Sequence, residues 1–402
     1  MTWRTALNRP FQPGHDVIPP IWAGRSRELD DWESTLRARR VVGLYERGRA
    51  ILGEAGIGKT ALTAKIAASA AAAGDLVVEP VRVPRGADVI ALLARALGRT
   101  SEAESVGTAV AGRVVELLDR VRAVSGVQIA PRRAEPNPHV ALRELIIELG
   151  RVAAARGRTL LIRIDEVQNI RDTDQLSAVL TALADALAHT EVVRDAAGTR
   201  HERVLPIAVY LTALPEFLDE ATAAAGATFA RRFRPMLIGH LDDADLRLAL
   251  APFTSPTGWP IGEHAGVAMT EDAVDALLAC SLGDPLLFQL IGAAAWSAAP
   301  DEQVITADHI RAGFDAEHNE AVGHVERLLE RVPARERALL EAMAGLRDTE
   351  RTLSRIAQRL DVAPTRLGPA AQRLERRRLI RRGRPYTFTA RTVEAYLQDR
   401  WP

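Results

Sequence analysis

The sequence predicts an α/β fold: a parallel, doubly wound sheet, then a helical segment, then a helix-turn-helix with a wing. Three observations carry this. Short apolar runs alternate with helical patterns up to about residue 241, the signature of parallel strands joined by crossover helices. The first run leads into G-x-x-x-x-G-K-T, from Gly53 to Thr60. The last 70 residues read helix, helix, turn, helix, two short strands, helix, the order of a winged helix-turn-helix.

The chain has 402 residues, enough for two or three domains. An apolar fraction of 47% and a charged fraction of 26% are ordinary for a globular protein. Lys+Arg and Asp+Glu are both 52. Zero net charge excludes a uniformly basic nucleic-acid coat and a uniformly acidic disordered tail, and leaves local patches open. The single cysteine, Cys280, excludes an internal disulfide and a Cys-based zinc site; in ALLACSL it reads as core. The first 20 residues are Pro-rich without an apolar h-region, and no run approaches 18 strongly apolar residues, so a cytoplasmic location is expected. Only two of the 52 basic residues are lysines, and one of them, Lys59, falls at the lysine position of the motif.

The elements follow in order. Residues 1–22, with Pro10, Pro13, Pro19 and Pro20, read as an extended lead-in on the surface. A helix is expected from Ser26 to Arg37, and a strand over 49–53 (RAILG). An Ala-rich helix then runs to about Ala72, followed by a strand over 76–83 (LVVEPVRV). Helices come near 87–98 and 108–123. Residues 124–138, with Pro131, Pro136 and Pro138, read as an exposed insertion. A helix from Val140 to Arg156 leads to TLLIRIDEV, a buried strand. A helix over 173–189, a fourth strand over 204–212 and a fifth over 235–241 complete the sheet. Beyond 241 the strand pattern stops, and 242–330 reads as helices with a turn-rich break at 253–262. The expected divisions are a lead-in over 1–22, a nucleotide-binding domain over 23–241, a helical lid over 242–332 and a winged helix over 333–402.

The loop Gly53, Glu54, Ala55, Gly56, Ile57, Gly58, Lys59, Thr60, with Ala61 in the helix it opens, can turn consecutive N–H groups inward around phosphate oxygens. Lys59 is expected to reach the β- and γ-phosphates and Thr60 to ligand Mg²⁺. The expected ligand is ATP or ADP with Mg²⁺. In LLIRIDE, Asp165 is expected to hold Mg²⁺ through water and Glu166 to orient the attacking water; the other role for an acidic pair at a strand end is a helix cap. Thr212 ends the fourth strand, as a contact to the γ-phosphate or the attacking water, or as a surface threonine. Arg231, Arg232 and Arg234 precede the fifth strand. One of them, Arg232 for preference, reads as a finger for a neighbouring subunit's γ-phosphate, or all three as a solvated basic turn.

In this order the pieces resemble the AAA+ ATPases of the origin-recognition-like branch, which grades into the signal-transduction ATPases with numerous domains (STAND). IWAGRSRE is similar to the lead motif of those families, with Ser26 in place of the commoner Glu, and the resemblance implies that Gly24 and Arg25 lie near the adenine. IDEVQ has the form of this branch. GDPLLFQLIG (283–292) resembles the start of a lid helix, on which initiator ATPases often carry an arginine. Here residues 251–310 contain no arginine or lysine. The Gly-x-Pro form resembles the switch-type ATPases, which implies a nucleotide contact at Pro285 and slow, state-switching ATP hydrolysis.

Between 351 and 391 there are 12 arginines against two acids, Asp361 and Glu375. Such segregation in a neutral chain suits a polyanion. Arg366, Arg373, Arg376 and Arg377 are placed on or near the recognition helix, and Arg381, Arg382 and Arg384 on the wing. Pro369, inside that helix, argues against a long straight reader. Double-stranded DNA, bound mainly by its backbone, is the expected partner of an ATP-dependent switch. Two other readings stay open: a signalling or defence switch whose tail only packs and whose partner is an unidentified protein, and a loader that assembles on DNA as a homo-oligomer.

Overall fold

The computed structural model describes residues 3–14, 17–104, 108–125, 138–194, 198–217, 219–223, 232–262 and 266–401. The chain divides into two compact units: Arg25–Leu52 with Leu62–Met236, and Met1–Gly24 with Gly53–Ala61 and Leu237–Pro402. Among the described residues no helix is long and apolar enough to cross a membrane.

The first unit holds the sheet. Its strands are β1 (Gly48–Leu52), β2 (Leu76–Val77), β3 (Val81–Arg82) and β4 (Leu160–Asp165), then a separate hairpin of β5 (Thr190–Arg194) and β6 (Arg200–Val204), then β7 (Ile207–Ala213) and β8 (Phe233–Leu237). The order is β2–β4–β7–β1–β8, with β3 also on β4. The β1–β7, β4–β7, β2–β4 and β3–β4 pairings are parallel. β1 and β7 are buried throughout and β4 everywhere but Arg163, as apolar runs covered on both faces should be. The expected strand over 76–83 is split, because Pro80 has no N–H to donate to a ladder. The hairpin β5–β6 is antiparallel and mostly exposed; its charged sequence carries no apolar alternation to announce it.

The helix over 26–41 runs as Ser26–Asp30, a π-helical segment Asp31–Arg37, and Ala38–Val41. From its last turn the fully buried Arg40 donates to Leu187 O at 2.7 Å, at the C-terminal end of the Thr173–Ala188 helix. Burial outweighs the nearby Tyr45 and Glu46 and brings this guanidinium down to about 10. Arg49 on β1, also fully buried, is held by Asp31 at 2.6 Å and Glu46 at 3.1 Å. The expected insertion is in part helical: helices cover Thr108–Ser125 and Pro138–Ala155, with Pro138 as an opening residue. Pro131 and Pro136 lie outside the described residues.

In the second unit the segment expected to form a lid contains helices Asp243–Thr254, Glu271–Ser281, Pro285–Ala298 and Ala307–Glu330. Strands do continue here, contrary to the sequence reading: β9 (Trp259–Pro260), β10 (Gly266–Met269) and β11 (Val304–Ile305) form a small sheet. They are too short for a periodicity to show. The lead-in is not a surface strap. Phe11 and Ile21 are buried in the lid core, Phe11 stacking on Phe253 and meeting Phe288 edge-on. Gly292 permits this, since a Cβ there would lie 2.3 Å from Phe11 Cδ1. Arg4, 1% exposed, donates to Ala295 O and Ala299 O at the end of the Pro285–Ala298 helix.

The tail contains helices Ala334–Ala344, Leu353–Arg359 and Gly368–Arg376, the antiparallel pair β12 (Ile380–Arg381) and β13 (Thr387–Phe388), and helix Arg391–Leu397. Pro369 stands in the first turn of its helix, where a missing N–H costs little, and that helix is short, nine residues. Val325, Leu328 and Leu329 of the long helix pack into the tail core, while Ile310, Phe314 and Ala321 pack into the lid core.

Candidate nucleotide-binding site

β1 runs directly into the loop at Gly53, and the helix Lys59–Ala72 opens at the end of the motif. Gly56 and Gly58 take φ of +82° and +88°, the region only glycine adopts freely. Gly56 is further constrained, since a Cβ would come within 2.6 Å of His324 Cε1. Lys59, 5% exposed, donates to Gly53 O at 2.8 Å and Glu54 O at 2.9 Å, so its ammonium lies along the loop's own backbone. Gly24 and Arg25, both at φ 62°, form the turn before the first helix. Pro285 begins the lid helix, and Asp284 caps it by accepting from Leu286 N at 2.9 Å and Leu287 N at 3.2 Å.

The acidic residues belong to the sheet unit. β7 lies between β4 and β1, and Thr212 pairs in register with Ile51 of β1. Thr212 is not a surface residue. It is 1% exposed, donates to Asp165 Oδ1 and accepts from Glu166 N at 3.3 Å. Asp165 is buried, and Glu166 follows at φ 59° with its carboxylate accepting from Gln168 Nε2. A hydroxyl at the carboxyl end of β7 thus meets both acids at the carboxyl end of the adjacent parallel β4. Thr60 in one unit and Asp165 in the other each carry a hard oxygen donor of the kind Mg²⁺ takes.

A histidine cluster that the sequence did not single out surrounds Asp284. The carboxylate is 2% exposed; His324 Nε2 lies 3.0 Å and His240 Nε2 3.5 Å from Oδ2. Burial alone would push Asp284 up, but the His324 charge, with hydrogen bonds from His240 and His324, holds it well below the usual carboxylate range. Burial alone would lower His324; Asp284 reverses this and raises it, against opposition from Arg327 and Arg331. A lone histidine in an amphipathic helix gives no sequence signal.

The arginine readings divide. Arg231 lies outside the described residues. Arg232 is half-buried and donates to Ala184 O at 2.6 Å, a contact within the chain. Arg234 is exposed and 3.3 Å from Asp31. In the tail, Arg366, Arg373, Arg376, Arg381, Arg382 and Arg384 are exposed. Arg373 also pairs with Glu336 at 2.5 Å and Arg382 with Glu375 at 2.6 Å. Arg377 is the exception to the sequence reading: it is 5% exposed and paired with Glu54 of the loop at 2.8 Å, so it is not available to DNA.

Residues 21–193 match the AAA ATPase domain, and residues 324–397 match a domain of unknown function, DUF8462. No curated relative matches the chain. Among solved structures, the fold is similar to the Walker-type ATPase of Pyrococcus abyssi, at 15% identity and TM-score 0.57 over 96% of this chain and 99% of that one. It is also similar to the Aeropyrum pernix ORC2 protein, solved as ADPNP-ADP complexes, at 15% identity and TM-score 0.53 over 96% and 97%. The chain therefore has an α/β fold of the AAA+ P-loop type.

Proposed function

We propose that this protein is an ATP-binding, slowly hydrolysing AAA+ switch that couples its nucleotide state to duplex DNA through its winged-helix tail. The observation that carries the reading is the pairing of the buried Asp165 and Thr212 with Glu166, beside a β1 that opens into a complete phosphate loop. The loop's N–H groups and Lys59 bind the phosphates of ATP. Thr60 and Asp165 would hold Mg²⁺, which would supply charge neutralisation at the phosphates. Glu166, set by its backbone bond to Thr212, orients water for attack. The lid carries no arginine over 251–310, which favours slow turnover. Loop, lid and tail share one compact unit, a route by which nucleotide reaches the tail. The exposed arginines of the Gly368–Arg376 helix and the β12–β13 wing supply the cationic face for phosphates.

The test is binding of a labelled duplex with and without ATP·Mg²⁺ at two salt concentrations. ATP-dependent binding that weakens as salt rises supports the reading, and Arg381→Ala with Arg384→Ala should make the log–log salt slope shallower by about 1 for each phosphate no longer neutralised. Absence of binding in every nucleotide state overturns the DNA arm, leaving a switch whose tail only packs. That second reading is favoured by the burial of Arg377 and Arg351 within the chain. Lys59→Ala should abolish ATP binding, and Glu166→Gln should keep binding and stop turnover.

A further inference from the structure

Glu54 and Arg377 form a buried ion pair within the second unit. Arg377 Nε donates to Glu54 Oε1 at 2.8 Å, and the side chains are 5% and 6% exposed. They come from places 323 residues apart: the second position of the phosphate loop, and the residue that ends the helix bearing the exposed arginines. The same guanidinium donates from Nη1 to Arg331 O at 3.1 Å, just past the last turn of the Ala307–Glu330 helix, where the helix dipole favours a cation. Leu379 N returns to Leu374 O at 3.1 Å across a left-handed Arg378, which fixes the turn from which Arg377 reaches the loop. The cavity beside the pair is lined by Ala55, Ile57, His240, Asp284, Leu328 and Arg378, so Glu54 is matched by Arg377 where water screens little.

A phosphate loop attracts anions through its backbone N–H groups and the N-terminal end of its helix. A carboxylate buried in that loop opposes the same anions unless a cation neutralises it. We propose that Arg377 is a positioning residue for the phosphate loop: it neutralises Glu54 so that the loop accepts nucleotide, and so makes nucleotide affinity conditional on the docked tail. The coupling is reciprocal. Bound nucleotide holds Arg377, and with it the helix over 368–376, against the loop. A ligand that draws the tail away exposes the phosphates to the Glu54 charge and loosens the nucleotide. This inference rests on the reading of the loop as a nucleotide site.

The experiment is a calorimetric ATP·Mg²⁺ titration of the full chain as wild type, Arg377→Met, Glu54→Gln, the double variant and Lys59→Ala. Amide hydrogen exchange of residues 368–397, with and without ATP, accompanies each. Arg377→Met should bind ATP at least about tenfold more weakly, within the usual range of couplings. Adding Glu54→Gln should restore binding to within about threefold of wild type. ATP should protect the tail in wild type but not in the rescued double variant, a loss that restored packing alone would not cause. If Arg377→Met does not fold, Glu54→Gln decides: it keeps the shape, removes the charge, and should bind ATP while losing the ATP-dependent protection. Wild-type affinity in Arg377→Met, or full ATP-dependent protection in Glu54→Gln, overturns the proposal. ATP binding unaffected by Lys59→Ala would instead overturn the nucleotide site itself, while Lys59-dependent binding with no effect of Arg377 overturns only the positioning role.

Discussion

Thr212→Val isolates the hydroxyl that joins the two acids. The change keeps β-branching in a fully buried strand but removes one group with two jobs: donation to Asp165 and acceptance from Glu166 N at 3.3 Å. A hydrogen bond to a charged group is worth about 1.5–3 kcal/mol, and a buried donor left without its acceptor costs about 1–3 kcal/mol. The second bond is long and Asp165 has further partners, so values near the lower ends apply, roughly 2–3 kcal/mol together. For a unit of 150–250 residues this is a fall in Tm of about 4–12 °C. Loss of the fixed Glu166 should lower ATP turnover by about 100-fold, the lower end of the range for a positioned acid–base group, with ATP affinity held within about threefold. Differential scanning fluorimetry and a coupled phosphate-release assay read the two effects. Thr212→Ser keeps the hydroxyl and should behave nearly as wild type. A valine variant with unchanged Tm and turnover, or a serine variant as impaired as the valine one, would refute the reasoning.

Two further outcomes follow from the second unit. Asp284 is depressed below its ordinary value of 3.8, so its contribution is present above that value and is lost as pH falls through the folded one. His324 is raised above its ordinary 6.5, so its contribution is complete below 6.5 and is lost as pH rises through the raised value. Denaturation midpoints should therefore be highest between these limits and decline on the alkaline side, and His324→Gln should flatten that decline; a wild-type alkaline limb in the variant counts against the pair. Phe11→Ala removes a fully buried ring from the lid core, at a cost of about 3–5 kcal/mol, and urea denaturation showing less than about 1 kcal/mol would mean the lead-in is not part of that core.

Wherever apolar pattern and side-chain chemistry coincided, the sequence could be read. LLIRIDE specifies a strand buried on both faces and ends in acids, and it became β4 with Asp165 and Glu166 at its carboxyl end. The glycine spacing of the loop declared φ values that no other residue adopts freely. What escaped notice depended on partners distant in the chain. Nothing local to Arg377 separates it from Arg376, yet one is buried against Glu54 and the other exposed. Phe11 in a proline-rich segment looks like surface until Gly292, far along the chain, supplies the gap it fills. His324 and Asp284 each look unremarkable alone, and their shared charge exists only once the lid helix and the long helix pack.

The Ala307–Glu330 helix bears on how this architecture can be exchanged between proteins. Its early turns complete the lid and its last turns complete the tail, so the two bodies have no seam between them at 332. A chimaera spliced there would leave Val325, Leu328 and Leu329 behind and hand the new partner a tail with a hole in its core. A graft joined upstream of His324 would carry them along, together with the histidine that meets the loop. The inheritable piece is therefore a tail with its own shaft attached.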